Sequence, residues 1–240
     1  MSAFHKAVEN NIPFVEFDVW MTKDKIPIVI HGGDHGEIEY ENEEFEISSK
    51  LKIDELSFYQ IEHILLPNGE HIPTLNEMMD EFKGKFTFVL DLKEPNPDIL
   101  KVIIDFLIEK KFYDKFIIYS YIPKQMELFT QLAYEYGILS DTETTPFNVK
   151  IGYVYFEIGT VSPYEYATRG SCVAIDAKMT TKEIVDNIQR NGREVGWYFY
   201  PAKEETEEIY NKLLSYGVDY IISDNPEQLR EYLKRVIKIE

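Results

Sequence analysis

The sequence predicts an α/β protein of the TIM-type (β/α) barrel class. From about residue 86 onward, short apolar runs alternate with amphipathic helix patterns, the sign of parallel strands covered by helices. Roughly seven such strand–helix units fit the chain, and its 240 residues match the size at which α/β barrels form one domain. No Gly-x-Gly-x-x-Gly or phosphate-loop turn follows any strand, which removes the main dinucleotide and nucleotide readings of an open sheet. No linker rich in Gly, Ser or Pro divides the chain and no internal repeat is present, so 1–240 reads as a single barrel domain with an insertion at about 32–72.

The elements follow in order. Residues 2–10 form a helix with Phe4, Ala7 and Val8 on one side. Strand 13–19 alternates at period two: Glu16 and Asp18 share one face, Val15, Phe17 and Val19 the other. The turn-like Thr22-Lys23-Asp24-Lys25 leads to strand 27–31, which ends at His31 before two glycines. The acidic insertion holds a helix near 58–65. Thr74-Leu75-Asn76-Glu77 has the form of a capping box and opens a helix ending near Gly84. Strand 86–92, helix 97–111, strand 116–119, helix 123–135 and a short strand at 138–139 come next. After a less regular region, 141–170, follow strand 173–175, helix 181–191, strand 195–199, helix 203–215, strand 220–223 and a last helix from Pro226.

Composition excludes several classes. At 44% hydrophobic and 14% aromatic, the chain buries a substantial core. A net charge of −18, without a basic arm or stripe, argues against nucleic-acid binding and repels anionic membranes. An anionic substrate therefore needs a locally positive pocket or a metal. Cys172 is the single cysteine, which excludes an intramolecular disulfide and fits a reducing, cytoplasmic compartment. No apolar run reaches the roughly 20 residues of a membrane span, so stable membrane insertion is not expected.

Chemistry-bearing side chains gather at strand ends. Glu16 and Asp18 on one strand face repel each other and are costly to bury without a cation between them; the alternative is a solvated strand end. On strand 86–92, Asp91 and Lys93 point the same way at the carboxyl end, as a site or as a plain ion pair. His31 closes an apolar strand beside the acidic pair and is the candidate acid or base, whereas His5, His35, His63 and His71 read as surface, loop or structural residues.

These residues, in this order, resemble the glycerophosphodiester phosphodiesterase family. Ser2-Ala3-Phe4, Ala7, Glu16-Phe17-Asp18-Val19, Thr22-Lys23-Asp24 and Val29-Ile30-His31 follow the family pattern AF-A-G-ExDV-TKD-VvH. Leu90-Asp91-Leu92-Lys93 is similar to the family's LEIK segment, with Asp91 where the family usually has Glu. His71-Ile72-Pro73-Thr74-Leu75, Tyr119-Ser120, Gly192 with Trp197, and Gly217-Val218-Asp219 through Pro226 extend the resemblance almost to the end of the chain. It implies Glu16, Asp18 and Asp91 as metal ligands, for which hard oxygens suit Mg2+ or Ca2+. It implies Lys93 as a phosphate ligand, Trp197 as a residue lining the substrate pocket and His31 as the catalytic acid or base. Tyr198-Phe199-Tyr200 departs from the family's WTVN segment, and an aromatic cluster on a strand is also what a core looks like.

The family begins with a strand ending in HRG and a loop reading PENT, and neither precedes Ser2 here. The expectation is a barrel without its first strand, either because Met1 is internal to a longer protein, the favoured explanation, or because the chain is a truncated relative. An unpaired barrel edge would call for cover, for example by a homo-oligomer. The reading is thus metal-dependent hydrolysis of a small-molecule glycerophosphodiester to glycerol 3-phosphate and an alcohol. The alternatives are a catalytically impaired relative that binds phosphate and metal, and a related lysophospholipid phosphodiesterase.

Overall fold

The computed structural model describes residues 1–33, 35–38, 51–113, 115–141, 145–155, 165, 170–198 and 205–237. The chain divides into two compact units, Met1–Val149 and Lys150–Glu240. The expected α/β class of the TIM-barrel type is the one adopted, with parallel strands and helices alternating in both units.

The first unit comprises α1 (Ser2–Glu9), β1 (Phe14–Met21), β2 (Pro27–Val29), α2 (Phe58–Ile61), α3 (Leu75–Phe82), β3 (Thr87–Leu92), α4 (Asp98–Glu109), β4 (Lys115–Ser120) and α5 (Pro123–Glu135). Its strands lie in the order β2-β1-β3-β4. β1, β3 and β4 run parallel, and the period-two pattern of β1 explains which face is dry. Phe17 meets Phe4 of α1 edge-on at 5.9 Å and Phe88 of β3 at 6.3 Å, while Phe4 also packs on Phe82 of α3 at 5.5 Å. These rings place α1 and α3 over the apolar face, leaving the Glu16–Asp18 face to the site. α3 starts as its capping box predicts: Thr74 Oγ1 accepts from the Glu77 amide at 3.1 Å, and Glu77 Oε2 accepts from the Thr74 amide at 2.8 Å.

β2 is antiparallel to β1, pairing Val19 with Val29, because residues 22–26 are too few for a parallel crossover. Several local expectations are corrected. β1 continues past residue 19 through Trp20 and Met21. The helix expected at 58–65 is the single turn Phe58–Ile61. Ile138 and Leu139 form no strand: both amides bond back to the Ala133 carbonyl, at 2.8 and 3.0 Å, closing α5. In the insertion, 39–50 lie outside the described residues, but Ile53, Leu56, Ile61, Ile64 and Ile72 are buried in one apolar cluster with Trp20, Ile28, Ile30 and Ile38. That cluster anchors the segment following β2.

The second unit contains β5 (Asn148–Tyr155) from Lys150 onward, β6 (Cys172–Asp176), α6 (Lys182–Arg190), β7 (Glu194–Tyr198), α7 (Glu207–Tyr216), β8 (Tyr220–Ile221) and α8 (Pro226–Ile237). Its strands are parallel in the order β5-β6-β7-β8. Thr181 and Thr206 cap α6 and α7, each hydroxyl accepting from the third amide beyond it. Among the described residues, no helix is long and apolar enough to cross a membrane.

Candidate functional site

Register assembles the site. In the parallel pairing of β1 with β3, Asp18 stands opposite Asp91 and Glu16 opposite Val89, so the three carboxylates share one face near the carboxyl ends of two strands. One carboxylate oxygen from each of Glu16, Asp18 and Asp91 lies within 4.8 Å of the other two. Lys93 continues β3 by one more backbone bond, its amide donating to the Val19 carbonyl at 3.2 Å. Its ammonium reaches back to Asp91 Oδ2 at 2.5 Å and Asp18 Oδ1 at 3.3 Å. The end of β3 is held in turn from below. Ser120 Oγ donates to the Leu92 carbonyl at 3.0 Å, and buried Glu94 accepts from the Asn96 amide at 2.9 Å.

His31 arrives by the β1–β2 hairpin. The Ile30 amide donates to the Asp18 carbonyl at 3.3 Å, bringing the next residue beside the carboxylate. His31 Nδ1 lies 2.7 Å from Asp18 Oδ2. A carboxylate oxygen there accepts, so Nδ1 carries the hydrogen and Nε2 is left as the working nitrogen. The imidazole is 74% exposed, a position from which it reaches solvent and small molecules.

Charge and burial conflict here in an informative way. Among the described residues, the three carboxylates lie close to the Lys93 ammonium, which by itself balances one of their charges. Burial pushes the Asp91 carboxyl up, Lys93 pulls it down, and Asp18 raises it again, with the result at about 6. Burial alone would lower Lys93, but Asp91 and Asp18 override it and hold the ammonium well above its ordinary value. Asp91 Oδ1 is buried with no hydrogen-bond partner among the described residues. An orphaned carboxylate oxygen among three clustered carboxylates fits a hard divalent cation bound through oxygen.

The first unit thus brings Glu16, Asp18, His31, Asp91 and Lys93 together. Trp197 belongs to the second unit, in β7, where its buried ring meets Tyr216 edge-on at 6.4 Å and its Nε1 finds no partner among the described residues. His5 pairs with Glu81 at 2.7 Å and His63 with the Tyr59 carbonyl at 2.7 Å, the surface and structural places expected of them. Sequence reasoning passed over Trp20. The signal was present: period two puts it on the face of Glu16 and Asp18, where an aromatic residue following two acids is out of pattern.

Comparison with known proteins adds a family context. The sequence profile of the glycerophosphoryl diester phosphodiesterase family matches residues 1–228. A curated glycerophosphodiester phosphodiesterase from Caldanaerobacter subterraneus subsp. tengcongensis is 25% identical over 251 aligned positions, covering 98% of this chain and 91% of that protein. A crystal structure from Galdieria sulphuraria superposes with a TM-score of 0.82 at 21% identity, covering 97% of this chain and 90% of its own. An Oleispira antarctica phosphodiesterase, solved in complex with the product sn-glycerol-3-phosphate, superposes with a TM-score of 0.74 at 17% identity, covering 97% and 90%.

Proposed function

The chain belongs to the glycerophosphoryl diester phosphodiesterase family, and on that premise we propose that it hydrolyses glycerophosphodiesters to glycerol 3-phosphate and an alcohol with a divalent cation, Mg2+ or Ca2+. The observation that carries the reading is the convergence of Glu16, Asp18 and Asp91 within 4.8 Å, next to a lysine and a histidine that share Asp18. The glycerol 3-phosphate bound by the Oleispira antarctica enzyme supports the product.

Glu16, Asp18 and Asp91 would hold the cation. Bound there, it supplies Lewis-acid stabilisation of charge developing on the phosphate oxygens. Lys93 adds a fixed positive charge for the phosphate and, through its pairs with Asp18 and Asp91, keeps both carboxylates in place. His31 moves the proton at Nε2. As a base it accepts a proton from the attacking hydroxyl; as an acid it gives one to the leaving alcohol oxygen, with Asp18 holding the ring at Nδ1.

The test is release of glycerol 3-phosphate from glycerophosphocholine with Mg2+, with Ca2+ and with EDTA, in the wild type and in His31→Ala. Turnover that needs the cation and falls by about 10²–10⁴-fold in His31→Ala is expected. Turnover indifferent to chelation, or to the loss of His31, would overturn the reading.

A further inference from the structure

Resting on the reading of His31 as the proton-transfer group, we propose that Trp20 is its positioning residue. The imidazole is largely exposed, so packing alone does not fix it. β1 holds it at two points instead. Asp18 takes the side chain, and Trp20, two residues on along the same face, takes the main chain: indole Nε1–H donates to the His31 carbonyl oxygen at 3.0 Å.

The indole is itself packed in the core, 5% exposed within the cluster of Ile28, Ile30, Ile38 and Ile53. The backbone beyond His31 is laid directly over it. Gly32 and Gly36 have φ of +66° and +78°, and a Cβ on either would come within 2.8 Å of the ring, at Nε1 and Cζ3 respectively. Side chains at these positions would therefore be strained twice, by conformation and by the ring beneath. The turn is closed by the Gly36 amide on the Gly33 carbonyl at 2.9 Å and joined to the core by the Ile53 amide on the Gly36 carbonyl at 2.9 Å. Trp20 also walls a pocket of about 310 Å³ with Lys93, Glu94 and Tyr121. A wall residue would act on substrate affinity, whereas a positioning residue acts on the chemical step, which makes the two roles separable.

The experiment is a double-mutant cycle on glycerophosphocholine hydrolysis by the full chain with Mg2+, using wild type, Trp20→Phe, His31→Ala and the pair. Trp20→Phe keeps the aromatic wall and removes the N–H. It is expected to lower kcat about 10-fold with KM within about twofold, and to cost nothing further once His31 is absent. Trp20→His, whose ring can place an N–H where the indole nitrogen lies, should keep more kcat than Trp20→Phe and serves if the latter folds poorly. In metal-free protein, the His31 ring resonances should move toward those of an unconstrained histidine in Trp20→Phe. Unchanged kcat in Trp20→Phe, a loss that multiplies with that of His31→Ala, or equal losses in Trp20→Phe and Trp20→His would overturn the proposal alone. Full activity of His31→Ala would overturn the reading beneath it as well.

Discussion

Asp18 and Asp91 stand side by side across the β1–β3 pairing, and the Lys93 ammonium touches both, at 3.3 and 2.5 Å. Two carboxylates in adjacent register positions repel at close range, and β3 supplies its own counter-charge two residues further on. One ammonium balances a single carboxylate charge, and on the proposed reading a cation held by Glu16, Asp18 and Asp91 would offset the rest.

Asp91→Asn tests that preference. The substitution keeps shape and removes the charge whose Oδ1 is buried and unpartnered among the described residues. The rise in Tm on adding Mg2+ or Ca2+ should shrink sharply, and kcat/KM should fall by more than the about 10–100-fold that loss of an outer-shell partner costs. A thermal-shift titration reads the first and a glycerophosphocholine assay the second. An unchanged Tm response would remove Asp91 from the ligand set.

Lys93→Met separates stability from catalysis. Without metal, removing the ammonium leaves two buried or half-buried carboxylates facing each other, at a cost of about 3–5 kcal/mol by the measure of broken buried pairs. A divalent cation relieves part of that repulsion. Metal addition should thus raise Tm more in Lys93→Met than in the wild type, while activity still falls. Equal shifts in both proteins would mean that lysine and cation do not share the carboxylates.

The acid response of α1 follows from Glu70. Its carboxylate accepts from Ser2 Oγ at 2.8 Å, from Asn68 Nδ2 at 2.6 Å and from the Ser2 amide at 2.9 Å, and these bonds, led by the Ser2 hydroxyl, lower its pKa to about 2. A folded pKa below the unfolded one gives stability that is present above the unfolded value, near pH 4.5, and lost as pH falls through about 2. Amide exchange in α1 should accelerate over that window while β3 stays protected. In Glu70→Gln the window should vanish, a result readable by hydrogen exchange across pH 2–5.

Most of the architecture was legible because its causes are local. Period-two alternation in β1 assigned Phe17 to the helices and Asp18 to the site, and the Thr74–Glu77 box marked the start of α3 within one residue. The convergence of Asp18 with Asp91 was legible only through likeness to a family, since strand register across 73 positions depends on tertiary packing. The antiparallel course of β2, the loss of a strand at Ile138-Leu139 and the indole clasp on His31 were not legible. Each depends on where a short segment finds its hydrogen-bond partner after collapse, and neither propensity nor composition records that.

Gly196 offers a test of packing in the second unit. It sits in β7 opposite Tyr220 of β8, and a Cβ there would lie inside the contact radius of the Tyr220 ring. The glycine is needed for space, since the ring covers its α-carbon where a side chain would project. Gly196→Ala must either push Tyr220 aside or part a strand pair that, among the described residues, joins at Gly196 with Tyr220 and Trp197 with Ile221. Overpacking of this kind costs about 1–3 kcal/mol. Tyr220→Ala removes the obstacle, so adding Gly196→Ala to that background should cost little, a coupling of about 1–3 kcal/mol in a four-variant denaturation cycle. Additive costs would show that the alanine is resisted by something other than the tyrosine ring.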